Sequence, residues 1–301
     1  MICNSTNYAE LFQYIIYIPT FIFGLLFNMI ALWVICCKLQ KWTETTIYMT
    51  NLAVSDSLLL ISLPFKMHSI RCPQAFDLKT CSFLTALYTI NTYVSIYIVA
   101  CISLDRYIAI SHPFRATTLR STMKAVIICG TIWILVVLCC GLTFALEDSV
   151  DNNGTLNNPK CFRRSDDVHE EIYVFVFIET IGFIIPLTIV TFCSFRIIRT
   201  LQQRKRWNPR TAVTERTIRV VTANLITFII CFTPVHVGMF VKFMKGTTNM
   251  NINLLFQFCV CIAATNCCFD GMFYYFATAE IRELYNNGNN IQTSWNVYNT
   301  D

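Results

Sequence analysis

Three acidic side chains interrupt otherwise uncharged stretches of this sequence, and they are the first candidates for chemistry. Asp56, Glu179 and Asp270 each stand in a run of more than 20 residues that holds no other Asp, Glu, Lys or Arg. A carboxylate in apolar surroundings needs a cation, hydrogen-bond donors or a bound proton, because burying an unpaired charge is costly. These three residues therefore indicate an ion site, a ligand site or a buried hydrogen-bonded network.

Cysteine and histidine residues are the second candidates, because they could ligate a metal or act as nucleophiles. His169 and Glu170 begin like a zinc-protease motif, but Tyr173 stands where the second histidine would be. The adjacent cysteine pairs in the apolar runs each point in two directions on a helix, so no pair can chelate one zinc ion. A nucleophile-elbow serine and a phosphate-binding glycine-rich loop are also absent. The sequence therefore predicts a protein that is not an enzyme.

The elements that must position these residues are seven long apolar windows. The chain of 301 residues is 55% hydrophobic and only 14% charged, whereas soluble domains are about 25% charged. Each window exceeds the about 20 residues that a helix needs to cross a hydrocarbon core of about 30 Å. The windows are residues 11–37, 45–65, 81–104, 125–146, 172–195, 220–241 and 252–278. The prediction is an all-α membrane protein, a bundle of seven transmembrane helices.

Charge and glycosylation sequons predict how the bundle is oriented. With the N-terminus outside, 15 of the 23 Lys and Arg residues lie on the inner side, in agreement with the positive-inside rule. The sequons at Asn4 and Asn153 then both face outward. We expect one domain with an extracellular N-terminus (1–10), a bundle (11–278) and a cytoplasmic tail (279–301) that starts with a short amphipathic helix. The net charge of +5 argues against nucleic acid as a partner.

A set of motifs occurs in order along these windows. They are residues 24–28, 51–56, Cys81, 105–107, Trp133, Pro186, 231–234 and 270–274. Over nearly the whole chain, the set resembles the rhodopsin-like (class A) G protein-coupled receptors. Residues 42–53, 63–67 and 266–270 further resemble a clade whose ligands are lysophospholipids and small aromatic acids. The resemblance implies a plasma-membrane receptor that binds an extracellular ligand and activates a heterotrimeric G protein, with arrestin as a further partner.

The resemblance also implies roles for particular residues. Cys81 and Cys161 would form a disulfide, and Cys3 and Cys72 either pair with each other or stay free. The activation switch and the G protein contact would comprise Asp105, Arg106, Tyr107, Phe114, Phe232, Pro234 and Tyr274. The usual acidic partner of Arg106 at the inner start of the sixth helix is not evident, because Thr214 stands near that position with Glu215 beside it.

A mid-membrane pocket for sodium and water is a further implication of the resemblance. It would comprise Asn28, Asp56, Ser95, Asn266 and Asp270. The alternative is a protonated Asp56 that is hydrogen-bonded within the bundle. We favour the ion or water cluster, and we expect no other cofactor.

Candidate ligand contacts lie in the predicted outer half of the bundle, where a cavity forms between helices. Lys66 stands ten residues from Asp56, about 15 Å outward along a helix. The full set is Lys66, Tyr88, Thr89, Thr92, Tyr93, Arg163, Arg164, Glu179, His236 and Lys242. Its cations favour a carboxylate or phosphate ligand. The alternative is that Lys66 and Lys242 reach lipid headgroups, or that one of them pairs with Glu179.

A cation-coupled transporter or channel is the competing class of function. Asp56 and Asp270 could belong to a cation path. Such proteins are built from repeated halves or from discontinuous helices around a midplane site. Neither feature is visible in the sequence, so the receptor is the favoured interpretation.

Overall fold

The described part of the chain forms seven membrane-length helices and one short helix. A computed structural model describes residues 8–37, 42–72, 76–151, 172–207, 212–245 and 250–273. In order, the first four spans and the sixth are Tyr8–Cys37, Glu44–Arg71, Leu78–Ser111, Thr122–Asp151 and Ala212–Lys245. The fifth span comprises Ile172–Glu179, a π-helical turn at Thr180–Ile184, and Ile185–Trp207. The seventh span comprises Met250–Ala264 and, after a turn at Thr265, residues 266–273. A short helix, Pro113–Leu119, joins the third span to the fourth.

The predicted fold class is confirmed. All seven helices are long and apolar enough to cross a membrane, and the described residues contain no β-strand. Most spans run past the apolar windows, because a helix continues into water where the run of uncharged residues stops. The third span, for example, extends beyond Arg106 to Ser111. Its first turn is capped by Asp77, whose side chain accepts a hydrogen bond from the Thr80 backbone N–H.

Burial distinguishes central spans from peripheral ones. Of the most apolar stretch of each span, 67% is buried in the second and 50% in the third, against 28% in the first and 22% in the fourth. In the third span, Val94, Ile96 and Ile98 are fully enclosed. On the fourth span, Ile134 and Leu138 are exposed, as expected of side chains that face lipid rather than water. The central spans therefore position the buried polar residues.

The π-helical turn in the fifth span was not predicted. Pro186 lacks a backbone N–H, so the helix around it cannot keep the regular hydrogen-bond pattern. The Tyr97 hydroxyl donates to the carbonyl oxygen of Ile181 at 2.8 Å, which satisfies one acceptor in the turn. Gly182 faces the ring of Tyr93 so closely that a Cβ there would lie 2.9 Å from a ring carbon. The turn thus brings the third and fifth spans into close contact just beyond Glu179.

The first and seventh spans also meet at a glycine, and this contact generates a prediction. A Cβ on Gly271 would lie 2.6 Å from Phe27 Cβ and 3.1 Å from its carbonyl carbon, whereas Gly130 has no atom within 4 Å of such a position. Gly271→Ala should destabilise the bundle by about 1–3 kcal/mol, because the backbone must move to make room. Gly130→Ala should leave the stability unchanged or slightly raised.

Apparent melting temperatures of the two detergent-solubilised variants provide the measurement. We expect a lower value for Gly271→Ala only. Equal melting temperatures for both variants would contradict the close approach of the two spans.

Candidate functional site

A buried polar cluster surrounds Asp56 in the middle of the bundle. Asp56 is fully buried, and its Oδ1 accepts a hydrogen bond from Asn91 Nδ2 at 3.1 Å. The same amide nitrogen lies 3.2 Å from Ser55 Oγ and 3.4 Å from Ser95 Oγ. Asn91 therefore connects the carboxylate to two hydroxyls, one on each of two neighbouring spans.

Among the described residues, two buried oxygens of the predicted sodium pocket find no hydrogen-bond partner, namely Asp56 Oδ2 and Asn28 Oδ1. The amide nitrogen of Asn28 donates to the carbonyls of Gly24 and Cys267, at 3.0 and 2.9 Å, which sets the orientation of the side chain. Asp270 accepts a hydrogen bond from Asn266. Unsatisfied buried oxygens are costly, and hard cations prefer oxygen ligands. The residues present therefore fit a sodium ion or ordered water.

Asn91 is a member of this cluster that the sequence analysis missed. It lies four residues before Ser95 on the third span, so the two side chains share a helix face. That spacing was a signal in the sequence, but it does not say which neighbouring span the face meets.

In the predicted outer half, Glu179 pairs with His236. The Nδ1 of His236 lies 3.3 and 3.2 Å from the two carboxylate oxygens and donates to them. The imidazole is buried, and it stacks on Phe183 with ring centroids 4.0 Å apart. Its other nitrogen, Nε2, is buried and has no hydrogen-bond partner in the part of the chain that the structure describes. The structure therefore gives Glu179 a histidine partner, which the sequence alternatives did not include.

Lys66 lies inside the bundle. Its side chain is buried, with 8% of the residue exposed, and Nζ lies 3.8 Å from the ring centroid of Tyr88 and 5.4 Å from that of Tyr17. The Tyr88 hydroxyl donates to the carbonyl of Val260, which positions the ring. The alternative that Lys66 reaches lipid headgroups is thus wrong. Lys242 is half-buried, and its Nζ lies 5.7 Å from the ring centroid of Phe256.

The other predicted ligand contacts bond within their own helix, pack on His236 or lie outside the described residues. The hydroxyls of Thr89 and Thr92 donate to carbonyls one turn earlier in their own helix, at Thr85 and Tyr88. Tyr93 packs its ring edge-to-face against His236, with centroids 6.1 Å apart.

Several predicted residues lie outside the described residues. They are Cys3, Asn4, Asn153, Cys161, Arg163, Arg164, Tyr274 and the tail at 279–301.

The structure describes one cysteine of each predicted disulfide pair. Cys72 and Cys81 are both disulfide-bonded, and the twelve other described cysteines are free. Because Cys3 and Cys161 lie outside the described residues, the two pairings stay predictions.

A row of aromatic rings leads from His236 towards the centre of the bundle. Phe183 stacks on His236, and its centroid lies 6.4 Å from that of Phe228. Phe228 meets Phe232 edge-to-face at 5.2 Å. Phe232 is buried two residues before Pro234, which lies inside the sixth helix. A change in packing at His236 would therefore reach Phe232 through direct ring contacts.

At the predicted cytoplasmic end, Asp105 is held by Arg120. Arg120 donates from Nε to Oδ1 at 2.7 Å and from Nη2 to Oδ2 at 3.1 Å, a bidentate pair. Thr45 donates to Asp105 Oδ2 at 3.0 Å, and Glu44 lies 3.1 Å from Arg120 Nη2. Burial lowers the pKa of Arg120, but the hydrogen bond and charge of Asp105, with the charge of Glu44, raise it overall. This group, which we call the Arg120 clamp, ties the connection after the third span to the second and third spans.

The neighbours of Asp105 are placed differently. Arg106 lines a small internal cavity of about 20 Å³ together with Asn224 and Asp270, which is room for one water molecule. Tyr107 packs edge-to-face on His112. Phe114 is 93% exposed on the short connecting helix. Glu215, beside the predicted position of the missing acidic partner, forms an ion pair with Lys205.

Comparison with known proteins decides the family. The model of the family "7 transmembrane receptor (rhodopsin family)" matches residues 27–274. The chain belongs to this family. Human G-protein coupled receptor 35 is 37% identical over 267 residues, which cover 87% of this chain and 82% of that protein. Mouse G-protein coupled receptor 55 is 34% identical over 294 residues, covering 90% and 86%. Human lysophosphatidic acid receptor 4 is 31% identical over 282 residues, covering 90% and 75%.

Family membership settles the broad function. The chain is a G protein-coupled receptor and a multi-pass protein of the plasma membrane. The receptor prediction is thus confirmed over the transporter or channel alternative. The family consists of receptors rather than enzymes.

Proposed function

We propose that this receptor binds an anionic extracellular ligand, a lysophospholipid or a small aromatic acid, in the outer half of the bundle. The N-terminus would be outside, and the opened inner face would activate a heterotrimeric G protein, with arrestin as a further partner. The chain itself would catalyse no reaction. The observation that carries the proposal is the burial of Lys66 against two tyrosine rings. A similar protein, human lysophosphatidic acid receptor 4, is named for an anionic lipid.

The charges around the outer half favour one anionic group as the anchor of the ligand. Tyrosine faces stabilise the ammonium of Lys66, and a carboxylate or phosphate would pair with it in a site that excludes water. His236 has less to offer an anion, because Glu179 already accepts a hydrogen bond from it. The buried Nε2 of His236 can instead meet a hydrogen-bond donor on the ligand. The ligand that suits this arrangement carries an acid near Lys66 and a donor near His236.

Replacing Lys66 tests the anion proposal. Lys66→Ala should raise the half-maximal concentration of an acidic agonist by about 30-fold or more, since losing a buried ion-pair partner costs about 2 kcal/mol or more. Lys79→Ala is the matched control, because Lys79 is exposed at the start of the third span. The measurement is ligand-driven nucleotide exchange with lysophosphatidic acid and with aromatic carboxylic acids. Potency that is equal in the two variants would rule out Lys66 as the anchor.

A sodium ion is the second element of the proposal. It would be held by the oxygens of Asp56, Asn28 and Ser95, and it would supply the positive charge that a buried carboxylate lacks. Two of these oxygens are buried without a hydrogen-bond partner, which supports the assignment. The alternative is a protonated, uncharged Asp56 that accepts a hydrogen bond from Asn91.

Salt dependence separates the two states of Asp56. At about ten times its dissociation constant, sodium should stabilise the receptor by about 1.4 kcal/mol. The apparent melting temperature should therefore be higher in sodium chloride than in N-methylglucamine chloride of equal ionic strength, and Asp56→Asn should abolish the difference. Asp77→Asn, at an exposed helix cap, should keep it. A wild-type receptor that melts alike in both salts would favour the protonated carboxyl.

The Arg120 clamp is proposed to hold the resting state. No acidic residue stands at the sixth-helix position that pairs with Arg106 in related receptors, where Thr214 is found with Glu215 beside it. The clamp would add a restraint directly beside Arg106. Asp105 is the neighbour of Arg106, it is buried, and it accepts both hydrogen bonds of a bidentate arginine. Releasing Asp105 would free the connection that carries the exposed Phe114, the predicted contact to the G protein.

Basal activity tests whether the Arg120 clamp holds the resting state. Arg120→Gln should raise ligand-independent nucleotide exchange by about 5- to 30-fold, the population shift that 1–2 kcal/mol produces. Arg120→Lys should fall between the variant and the wild type, because lysine keeps the charge and loses the bidentate geometry. Arg115→Gln, an exposed arginine on the same short helix, should match the wild type. A merely destabilised receptor would lose activity, so unchanged or lower basal exchange in Arg120→Gln would refute the clamp.

A further inference from the structure

Two adjacent cysteines, Cys36 and Cys37, end the first span. Both are free and exposed. They continue a side of the helix that faces away from the bundle, on which Met29 is 55% exposed and Trp33 is 56% exposed. Because this helix crosses a membrane, exposed side chains of this kind meet lipid rather than water.

Their position at a span end distinguishes these thiols from the other described cysteines. The remaining free cysteines are buried or half-buried, with Cys139 as the one further exposed thiol. Cys139 lies 17 residues into the fourth span, about 26 Å from the predicted inner face. Among the described residues, only Cys36 and Cys37 are exposed thiols within one turn of a predicted inner span end. A membrane-bound acyltransferase that works at that face could reach these two and no other described thiol.

The chemistry of the inner face suits acylation rather than oxidation. On the N-terminus-outside orientation of the proposed function, the pair faces the reducing cytosol, where thiols stay free. Lys38 and Lys41 follow in the sequence, and basic residues next to a span attract the anionic lipids of the cytoplasmic leaflet. Cysteines beside a membrane span are the usual acceptors of reversible fatty acylation.

We propose that Cys36 and Cys37 carry long-chain fatty acyl groups in thioester linkage. Each cysteine sulfur attacks the carbonyl carbon of a fatty acyl-coenzyme A and forms a new C–S bond. The C–S bond to coenzyme A breaks, and the proton of the cysteine thiol ends on the departing coenzyme A thiol. No oxidant or reductant takes part. The acyl chains then lie along the lipid-facing side of the first span, beside Trp33 and Met29.

The proposed anchor lies on one of the less buried spans of the bundle. Only 28% of the most apolar stretch of the first span is buried, against 67% in the second. Acyl chains that share the inner leaflet with this helix would add contacts that the protein itself does not supply. Hydrolysis of the thioesters would remove them again, so the modification is reversible.

Acyl exchange on the full chain, expressed in cultured mammalian cells, tests the proposal. Free thiols are blocked, thioesters are cleaved with hydroxylamine, and each released thiol is tagged with a maleimide polymer that adds a countable mass. The wild type should show two hydroxylamine-dependent tags, Cys36→Ser and Cys37→Ser one each, and the double variant none. Cys139→Ser is the matched control and should keep both. A wild type without tags, or a double variant that keeps them, would overturn the proposal.

A second readout separates this proposal from the orientation on which it rests. An epitope at the N-terminus should be stained by antibody on intact cells. If the epitope is stained and no tag is found, acylation is refuted while the proposed orientation stands. If the epitope is reached only after the cells are made permeable, both are refuted, because the thiols would then face outward. Metabolic labelling with an alkynyl fatty acid, lost in the double variant, would establish that the thioester carries a fatty acyl chain.

Discussion

The constraint on which the rest of this structure depends is the absence of water inside the bilayer. Every polar group within a span must find its partner in the protein, because an unsatisfied group costs several kcal/mol there. Thr89 and Thr92 meet this requirement by donating back to their own helix, and Tyr97 meets it by closing the π-helical turn. Asp270 meets it through Asn266. Within the described residues, four buried polar side-chain atoms have no hydrogen-bond partner, on Asn28, Asp56, Thr233 and His236. On the proposed function, Asp56 and Asn28 hold a sodium ion and His236 meets the ligand.

One packed core cluster contains Phe183 and Phe232 together with Val99, which lines the small cavity beside Arg106. The Glu179–His236 pair touches Phe183, and the ring contacts continue to Phe232. Nearer the inner end, one small cavity is lined by both Asp270 and Arg106. Asp270 of the mid-span cluster and Arg106 of the switch therefore line the same cavity. On the proposed function, ligand binding changes the packing of these rings, and this change alters the contacts of the Arg120 clamp. The direct contacts supply a physical route for that coupling.

The sequence was sufficient for the spans and for the importance of Asp56, Glu179 and Asp270, because scarce charge in an apolar run is a local property. It was insufficient for partners, which depend on how separate spans pack. Arg120 could not be paired with Asp105 from the sequence, since 15 residues and a change of helix separate them. For Lys66, the sequence left a ligand contact and a headgroup contact both open, and its burial against Tyr88 excludes the headgroup contact. Asn91 could have been predicted from its spacing from Ser95, whereas the π-helical turn could not.

The most direct test of the central claim is nucleotide exchange on a heterotrimeric G protein by the purified, reconstituted receptor. The ligands should be matched pairs, each an acidic lipid or aromatic acid and its uncharged ester. The acid of an active pair should stimulate exchange and its ester should not, because the anchor at Lys66 requires a negative charge. Equal stimulation by an acid and its ester would contradict the account, as would a receptor that no member of the acidic panel activates.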